Sequence, residues 1–310
     1  MGETISRVKA LMRKASFPAA IIVLLVPLIN LGAYPMRVAV MCAIYSLLAM
    51  SLNLLTGIAG QVSLGHAAFY AVGAYTSALL SLRLNYPLYI TFPAAMVMGA
   101  VLGFMVFLPS RRVSGGYLAI VTMGMGEIVR LILLNWQSLT RGPMGLPGIT
   151  QVYAFGVKLS SPYLYYLFAM PFVLIVLILL MNLERSNVGR KLNAVRMDPT
   201  AAESMGIYPD RMKALAFMLS GAIAALAGAL YAHFIGFIDP GSFKSDESVT
   251  VLCMVVLGGM GNLPGSVLAA FLLTVLPEFL RGLDNVRMLI YGILLVLLML
   301  LKTVGRKHDA

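Results

Sequence analysis

The sequence predicts an all-α, polytopic transmembrane helical bundle of about ten spans, with both termini cytoplasmic. Three observations carry that prediction. The chain of 310 residues is 60% apolar and only 11% charged, against roughly 25% charged in soluble domains. Its apolar residues lie in runs near the about 20 residues that cross a bilayer as helix. Its basic residues fall unequally on alternate loops, as they do in membrane proteins, which keep Lys and Arg on the cytoplasmic side.

The runs justify the bundle one by one. The first, 17–33, follows Arg7, Lys9, Arg13 and Lys14. That start has the look of a signal peptide, but no small-x-small cleavage site follows cleanly and a second run, 38–55, begins almost at once. The first run is therefore expected as an uncleaved span. Runs at 61–82, 88–108, 117–136 and 163–183 are each of spanning length. Between the last two, "RGPMGLPG" at 141–148 breaks helices and marks turns. A polar stretch, 184–212, follows. Beyond it lie 213–237, 249–260, 263–280 and 288–301. The run 249–260 is too short to span and is expected as a half-helix or re-entrant segment.

Charge orients the runs. With the N-terminus inside, Arg111, Arg112, Arg185, Arg190, Lys191, Arg196, Arg211, Lys213, Lys302, Arg306 and Lys307 join the N-terminal four on that face. Arg37, Arg83, Arg141, Lys158, Lys244, Arg281 and Arg287 fall outside. The asymmetry puts both termini and the polar stretch in the cytoplasm. The net charge of +11 is then a membrane signature, and no basic patch with interleaved aromatics points to nucleic acid. Cys42 and Cys253 both sit in apolar runs without a CxxC or Cys/His cluster, so they read as small buried apolar residues. The whole chain, 1–310, reads as one transmembrane domain without linker or convincing repeat.

The polar stretch has internal order. Val188, Leu192 and Val195 recur at i, i+4, i+7 among Arg190, Lys191, Asn193 and Arg196, which predicts a short amphipathic helix. Asp198 then offers an N-cap carboxylate and Pro199 suits the first helical position. Thr200 to Met205 suits about two turns, and Gly206 can take the left-handed conformation that ends a helix. Tyr208 and Pro209 turn the chain, and Asp210 can cap a helix from Arg211. So short a helix does not stand alone in water. It packs on its own membrane surface or docks into a partner's groove. Small residues on one side, Ala201, Ala202 and Ser204, allow close approach, and Glu203 lies among them.

Polar residues inside the runs are few. Glu127 and Arg130, three apart, can pair on one helix face, as a structural ion pair or a substrate contact. Ser63, His66, Tyr70 and Ser77 share a face, with Gly65, Gly73 and Ala74 as small positions for close helix packing. That face reads either as an interhelical hydrogen-bonding seam in the bundle interior or as the lining of a path. Neither a metal nor a cofactor is expected: HExxH and Gly-x-Ser-x-Gly are absent, and His66, His233 and His308 are far apart. No Gly is followed by Lys, so the chain has no P-loop, and "GGMGNLPG" at 258–265 reads as a tight inter-helix turn.

"TAAESMG" at 200–206 resembles the coupling motif of ABC transporter permeases, a Glu-Ala-Ala followed three residues later by Gly. The Ala pair falls on Ala201 and Ala202 and the Gly on Gly206, while Thr200 stands where the motif has Glu. With "LNLLTGIAGQVSLGHAAFYAVGAYTSALL", "GGYLAIVTMGMGEIVRLILLNW", "LAGALYAHFIGFIDPGSF", "VVLGGMGNLPGSVLAA" and "RMLIYGILLVLLML", nearly the whole chain resembles the permeases of branched-chain amino acid ABC importers, of the M-type (LivM-like) subunit. The resemblance implies a bacterial inner-membrane permease without catalytic residues of its own. It implies as partners a second related permease subunit, two cytoplasmic ABC ATPases that grip the coupling segments, and a periplasmic amino-acid-binding protein. The alternative is an ion-coupled secondary transporter of a small polar solute, with His66 or Glu127 carrying protons.

Overall fold

In the computed structural model the chain is built of helices. The structure describes residues 16–25, 27, 32–113, 115–149, 153–154, 157–159, 161–279 and 292. Apart from residue 292, the expected run 288–301 lies outside the described residues, as do residues 26 and 28–31 of the run 17–33.

The helices, in order, are α1 (Ser16–Leu25), α2 (Ala33–Leu52, continued as a π-helix over Asn53–Ile58), α3 (His66–Leu84), α4 (Leu88–Ser110) and α5 (Gly116–Asn135). A single turn, α6 (Gln137–Thr140), opens the connection to α7 (Pro162–Arg185). Then come α8 (Asn187–Met197), α9 (Pro199–Ser204), α10 (Pro209–Ile235), α11 (Ser245–Gly258) and α12 (Leu263–Phe279). Two 3-10 turns (Gly142–Met144 and Pro240–Phe243) and two minimal antiparallel pairs complete the described structure. Strand β1 (Leu146–Pro147) pairs with β4 (Phe237–Ile238), Leu146 opposite Ile238, and β2 (Tyr153–Ala154) pairs with β3 (Val157–Lys158). The turn-rich segment after α6 is thereby pinned to the end of α10.

Among the described residues, α2 with its π-helical end, α4, α5, α7 and α10 are long and apolar enough to cross a membrane. α10 is the hub, and small residues let neighbours reach its backbone. A Cβ on Gly73 of α3 would stand 2.1 Å from the Ala225 carbonyl oxygen, and one on Gly228 of α10 2.0 Å from that of Tyr70. Gly99 and Gly103 of α4 meet Gly221 and Phe217 as closely. Lipid offers no hydrophobic force between helices, so this close backbone approach and interhelical hydrogen bonds hold them together. Tyr165 donates to the Leu230 carbonyl (2.6 Å), Tyr166 to that of Leu24 (2.6 Å) and Ser220 to that of Ser51 (2.8 Å).

Two helices depart from the expected spans. The run 61–82 is not helical at its start: α3 begins only at His66. The Leu64 N–H is drawn sideways to Thr122 Oγ1 of α5 (3.0 Å), and Gly65 lies flush against the Thr122 carbonyl. His66 bonds Ser51, about two turns before the π-helical end at Ile58, so residues 61–65 run inside the bundle. Irregular backbone at such depth is tolerated where protein surrounds it. The short run 249–260 is α11, begun earlier at Ser245 with Asp246 and Glu247 in its first turn. Its 14 residues span about 21 Å at about 1.5 Å per residue, short of the about 30 Å hydrocarbon core. Its first turn meets that of α3, where the Ala67 N–H donates to Ser248 Oγ (2.8 Å).

Candidate functional site

The polar stretch 184–212 folds as a capped two-helix projection between α7 and α10. Ser186 caps α8 by accepting from the Gly189 N–H. Leu192 and Val195 are buried and Val188 is half-buried, so the apolar stripe of α8 faces the bundle. Asp198 separates the two helices. Its carboxylate accepts from the N–H groups of Thr200 (2.8 Å) and Ala201 (3.1 Å), and Pro199 occupies the first position of α9. Gly206 ends the helix at φ +76°, and the Ile207 N–H turns back to the Ala202 carbonyl (3.0 Å). Asp210 does not cap α10. It lies in that helix's first turn, behind Pro209, where its charge still favours the helix's positive end.

α9 stands away from the bundle. Ala202 alone of its residues is buried, while Ala201, Glu203 and Ser204 are exposed. Met197, Met205 and Tyr208, which bracket it, are 84%, 81% and 60% exposed. Large apolar side chains this bare on a charged segment form a surface suited to another protein. The Arg211 guanidinium stacks over the Tyr208 ring at 4.5 Å, which holds that ring at the base of the projection.

The polar residues within the helices separate into two groups. Ser63, His66 and Tyr70 are all buried inside the chain. Ser63 is in the irregular segment before α3 rather than on the helix, so the expected common face begins at His66. His66 Nε2 and Ser51 Oγ share a hydrogen bond of 2.6 Å. The Ser51 hydroxyl proton goes to the Leu48 carbonyl (2.7 Å). Nε2 therefore carries the ring proton, and Nδ1 is a bare acceptor. Among the described residues Ser63 Oγ, His66 Nδ1 and Tyr70 Oη find no partner. Ser77, further along α3, bonds His233 Nε2 of α10 (2.9 Å).

Glu127 and Arg130 pair on α5, with Arg130 Nε 3.0 and 2.9 Å from the two carboxylate oxygens. They lie on a different kind of surface. Ile120, Gly124 and Leu131, on the same helix face as Glu127, are exposed, as are Tyr117, Ile128 and Ile132. No group of His, Cys, Asp and Glu able to hold a metal ion occurs among the described residues. A cavity of about 540 Å³ lies at the end of the bundle away from α9, between the ends of α2, α7, α10 and α12; Arg37, Tyr45, Tyr165 and Glu278 are among its lining residues.

Sequence reasoning missed two features. Asn53, in the π-helix, bonds the turn between α11 and α12 at Gly259, Gly261 and Asn262, and Ser266 in the first turn of α12, and Arg196 of α8 reaches the Gly57 carbonyl. The one available signal was an Asn set in an otherwise apolar run, since a buried amide demands partners.

Comparison with known proteins agrees with this architecture. The family described as "Branched-chain amino acid transport system / permease component" matches residues 34–300. The high-affinity branched-chain amino acid transport system permease protein LivM of Escherichia coli K12 is 38% identical over 291 residues, 86% of this chain and 68% of that protein. LivH of Salmonella typhimurium, a permease protein of the same named system, is 26% identical over 74% of this chain and 80% of its own length. The autoinducer 2 import system permease protein LsrC of Salmonella typhi is 30% identical over 84% of this chain and 76% of its own. A solved chain described as a metal-chelate type ABC transporter in an inward-facing conformation superposes with a TM-score of 0.51 at 18% identity, covering 92% of this chain and 98% of that one. At that identity the likeness concerns the fold.

Proposed function

The chain belongs to the family of branched-chain amino acid transport system permease components, and on that premise we propose how its parts divide the work. It is a transport component of the membrane, paired with a second, related permease chain, and not an enzyme. The pair sits in a bacterial inner membrane and forms a path for branched-chain or similarly hydrophobic amino acids. A periplasmic binding protein supplies the substrate. Two ATPase chains on the cytoplasmic side supply the work, since this sequence has no P-loop. All ten runs of the sequence span or enter the bilayer, and both termini and the α8–α9 projection are cytoplasmic.

The observation that carries this reading is α9. It is a six-residue helix fixed at both ends, by Asp198 and Gly206, and left bare between Met197, Met205 and Tyr208. A helix so short gains nothing from standing in water. Seated in a groove of an ATPase, it becomes a rigid lever. Nucleotide binding there shifts the population of path conformations by gripping the lever differently in each state.

The face of α5 that carries Glu127 and Arg130 is the one turned to the second permease and the path. Charged groups within a span turn to protein or to water-filled space rather than to lipid. Ser63, His66 and Tyr70, buried within this one chain, belong to the bundle interior.

The test is to solubilise the chain from its host, identify the chains that co-purify, and reconstitute the complex in vesicles. ATP-dependent leucine uptake with an ATPase and a second permease bound is the expected result. Uptake by the chain alone, or uptake that ignores ATP and collapses with an uncoupler, would make it an ion-coupled carrier instead.

A further inference from the structure

We propose that Arg196 is a positioning residue that transmits movement of the α8–α9 projection to the ends of α2, α11 and α12 through a clamp centred on the π-helical turn. The inference rests on the coupling role just proposed and names the route by which it reaches the bundle.

The clamp begins with an unmet demand. The last carbonyls of a helix have no partner within it and carry the negative end of its dipole. α2 and its π-helical end supply no basic residue in the last turn. The chain leaves at Gly60, with φ +73°. Arg196, distant in sequence on α8, fills the gap. Its guanidinium donates to the Gly57 carbonyl. Its aliphatic stem lies across Gly60, so close that a Cβ there would stand 2.6 Å from the stem. A bulkier residue at position 60 would push the arginine away.

The π register provides the second half. Widened hydrogen bonding, Ala59 N–H to the Leu54 carbonyl, accompanies a side chain turned across its own helix. The Asn53 amide lies over Gly57, where a Cβ would collide with it. From there Asn53 accepts from the Gly261 N–H (2.7 Å), and its two amide hydrogens are shared among Ser266 Oγ (2.6 Å) and the carbonyls of Asn262 (3.1 Å) and Gly259 (3.3 Å). Gly57 also lies against the Gly261 backbone. One turn of α2 thus holds α8 on one side and the α11–α12 hairpin on the other. α11 leads from this turn back to the first turn of α3, where Ser248 accepts from the Ala67 N–H. A displacement of α8 is therefore delivered to the start of α3 and the interrupted segment before it, not only to α7 and α10, to which the projection is covalently joined.

The test uses the whole complex in vesicles and counts ATP hydrolysed per leucine taken up, a ratio that a purely structural role would leave alone. Arg196→Met keeps the stem over Gly60 and removes the donor. Arg196→Lys keeps a donor. The expected result is that R196M assembles and hydrolyses ATP while its uptake per ATP falls about tenfold, the size of one lost hydrogen bond to a charged group. R196K should recover most of that loss. A wild-type ratio in R196M overturns the proposal. So does an R196M complex that does not assemble, which makes Arg196 a folding residue, and so does an R196K complex as uncoupled as R196M. Wild-type vesicles without ATP-driven uptake would instead sink the coupling role itself, and this route with it.

Discussion

α2 and α5 are both apolar, both long enough to cross a bilayer, and differ completely in what covers them. In α2, 83% of the apolar stretch is buried within the chain; in α5, 28% is. Hydropathy treats them alike. The difference lies in which residues they set against neighbours. α2 carries Ser46, Ser51 and Asn53, each buried and each bonded within the chain. α5 turns Ile120, Gly124, Glu127 and Leu131 away from the bundle. One helix is covered by its own chain, and the other leaves a face bare for the proposed partner to cover.

The comparison breaks most sharply at glycine. Gly228 of α10 and Gly124 of α5 are both mid-helix glycines in spans. Gly228→Val drives a side chain into the Tyr70 carbonyl and the Ala74 backbone amide, a Cβ already being 2.0 and 2.7 Å from them. Neither neighbour is a flexible side-chain tip, so helices must separate. The cost exceeds the about 1–3 kcal/mol of ordinary overpacking, and the chain should be lost from membranes when its yield and thermal unfolding are measured. Gly124→Val meets nothing within 4 Å. It should leave the yield of the chain unchanged while reducing recovery of the second permease on co-purification. Equal loss of yield in both variants would dissolve the distinction between an inner and an outer helix.

The same contrast explains what the sequence could reveal. The runs 88–108 and 163–183 became α4 (Leu88–Ser110) and α7 (Pro162–Arg185), because an uninterrupted apolar run in lipid has only the helix to satisfy its backbone. The projection was legible because its signals are local: Asp198 bonds residues two and three ahead, and Gly206 ends the helix it follows. The start of α3 was not. Gln61 to Gly65 lie at the edge of an apolar run, and the hydrogen bond from Leu64 to Thr122 of α5 is a contact that no window along the chain contains. α11 starts early for a related reason. Ser245, Asp246 and Glu247 read as loop by hydropathy, yet acids in a first turn are what a helix N-terminus favours, and Glu247 gains a hydrogen bond from Tyr45 (2.9 Å). The Arg196 and Asn53 contacts, each joining residues more than a hundred apart, lie beyond any periodicity.

The Glu127–Arg130 pair sharpens the comparison by measuring what covers α5. In the single chain the two side chains are 41% and 22% exposed. In water such a pair is worth about 1 kcal/mol or less. If a second permease and a confined path close over it, removing one partner costs about 3–5 kcal/mol, because a lone charge remains in an apolar place. Glu127→Gln should therefore impair uptake and complex stability more than Glu127→Leu together with Arg130→Leu. Thermal stability of the reconstituted complex reads the size directly. Equal damage from the single and double changes would show that the two side chains act independently.

The smallest effect is expected at Gly206, where space is free and only the backbone resists. Nothing lies within 4 Å of a Cβ built there, but φ is +76°. A β-branched residue pays about 1–2 kcal/mol to adopt the left-handed conformation, and α9 has six residues with which to resist. Gly206→Val should therefore unwind the end of α9 and move Met205 and Tyr208 relative to Asp198, with the spans untouched. Membrane yield should stay at the wild-type level while ATP-driven uptake falls about five- to thirtyfold, the factor that 1–2 kcal/mol represents if all of it is lost from docking. Gly206→Asn, which tolerates the left-handed region better, should recover part of the loss. Had the projection served only to pack on its own bundle, the strain would appear in the chain's stability and not in its partner's grip. Normal uptake by G206V with a wild-type ATPase content would remove α9 from the coupling path.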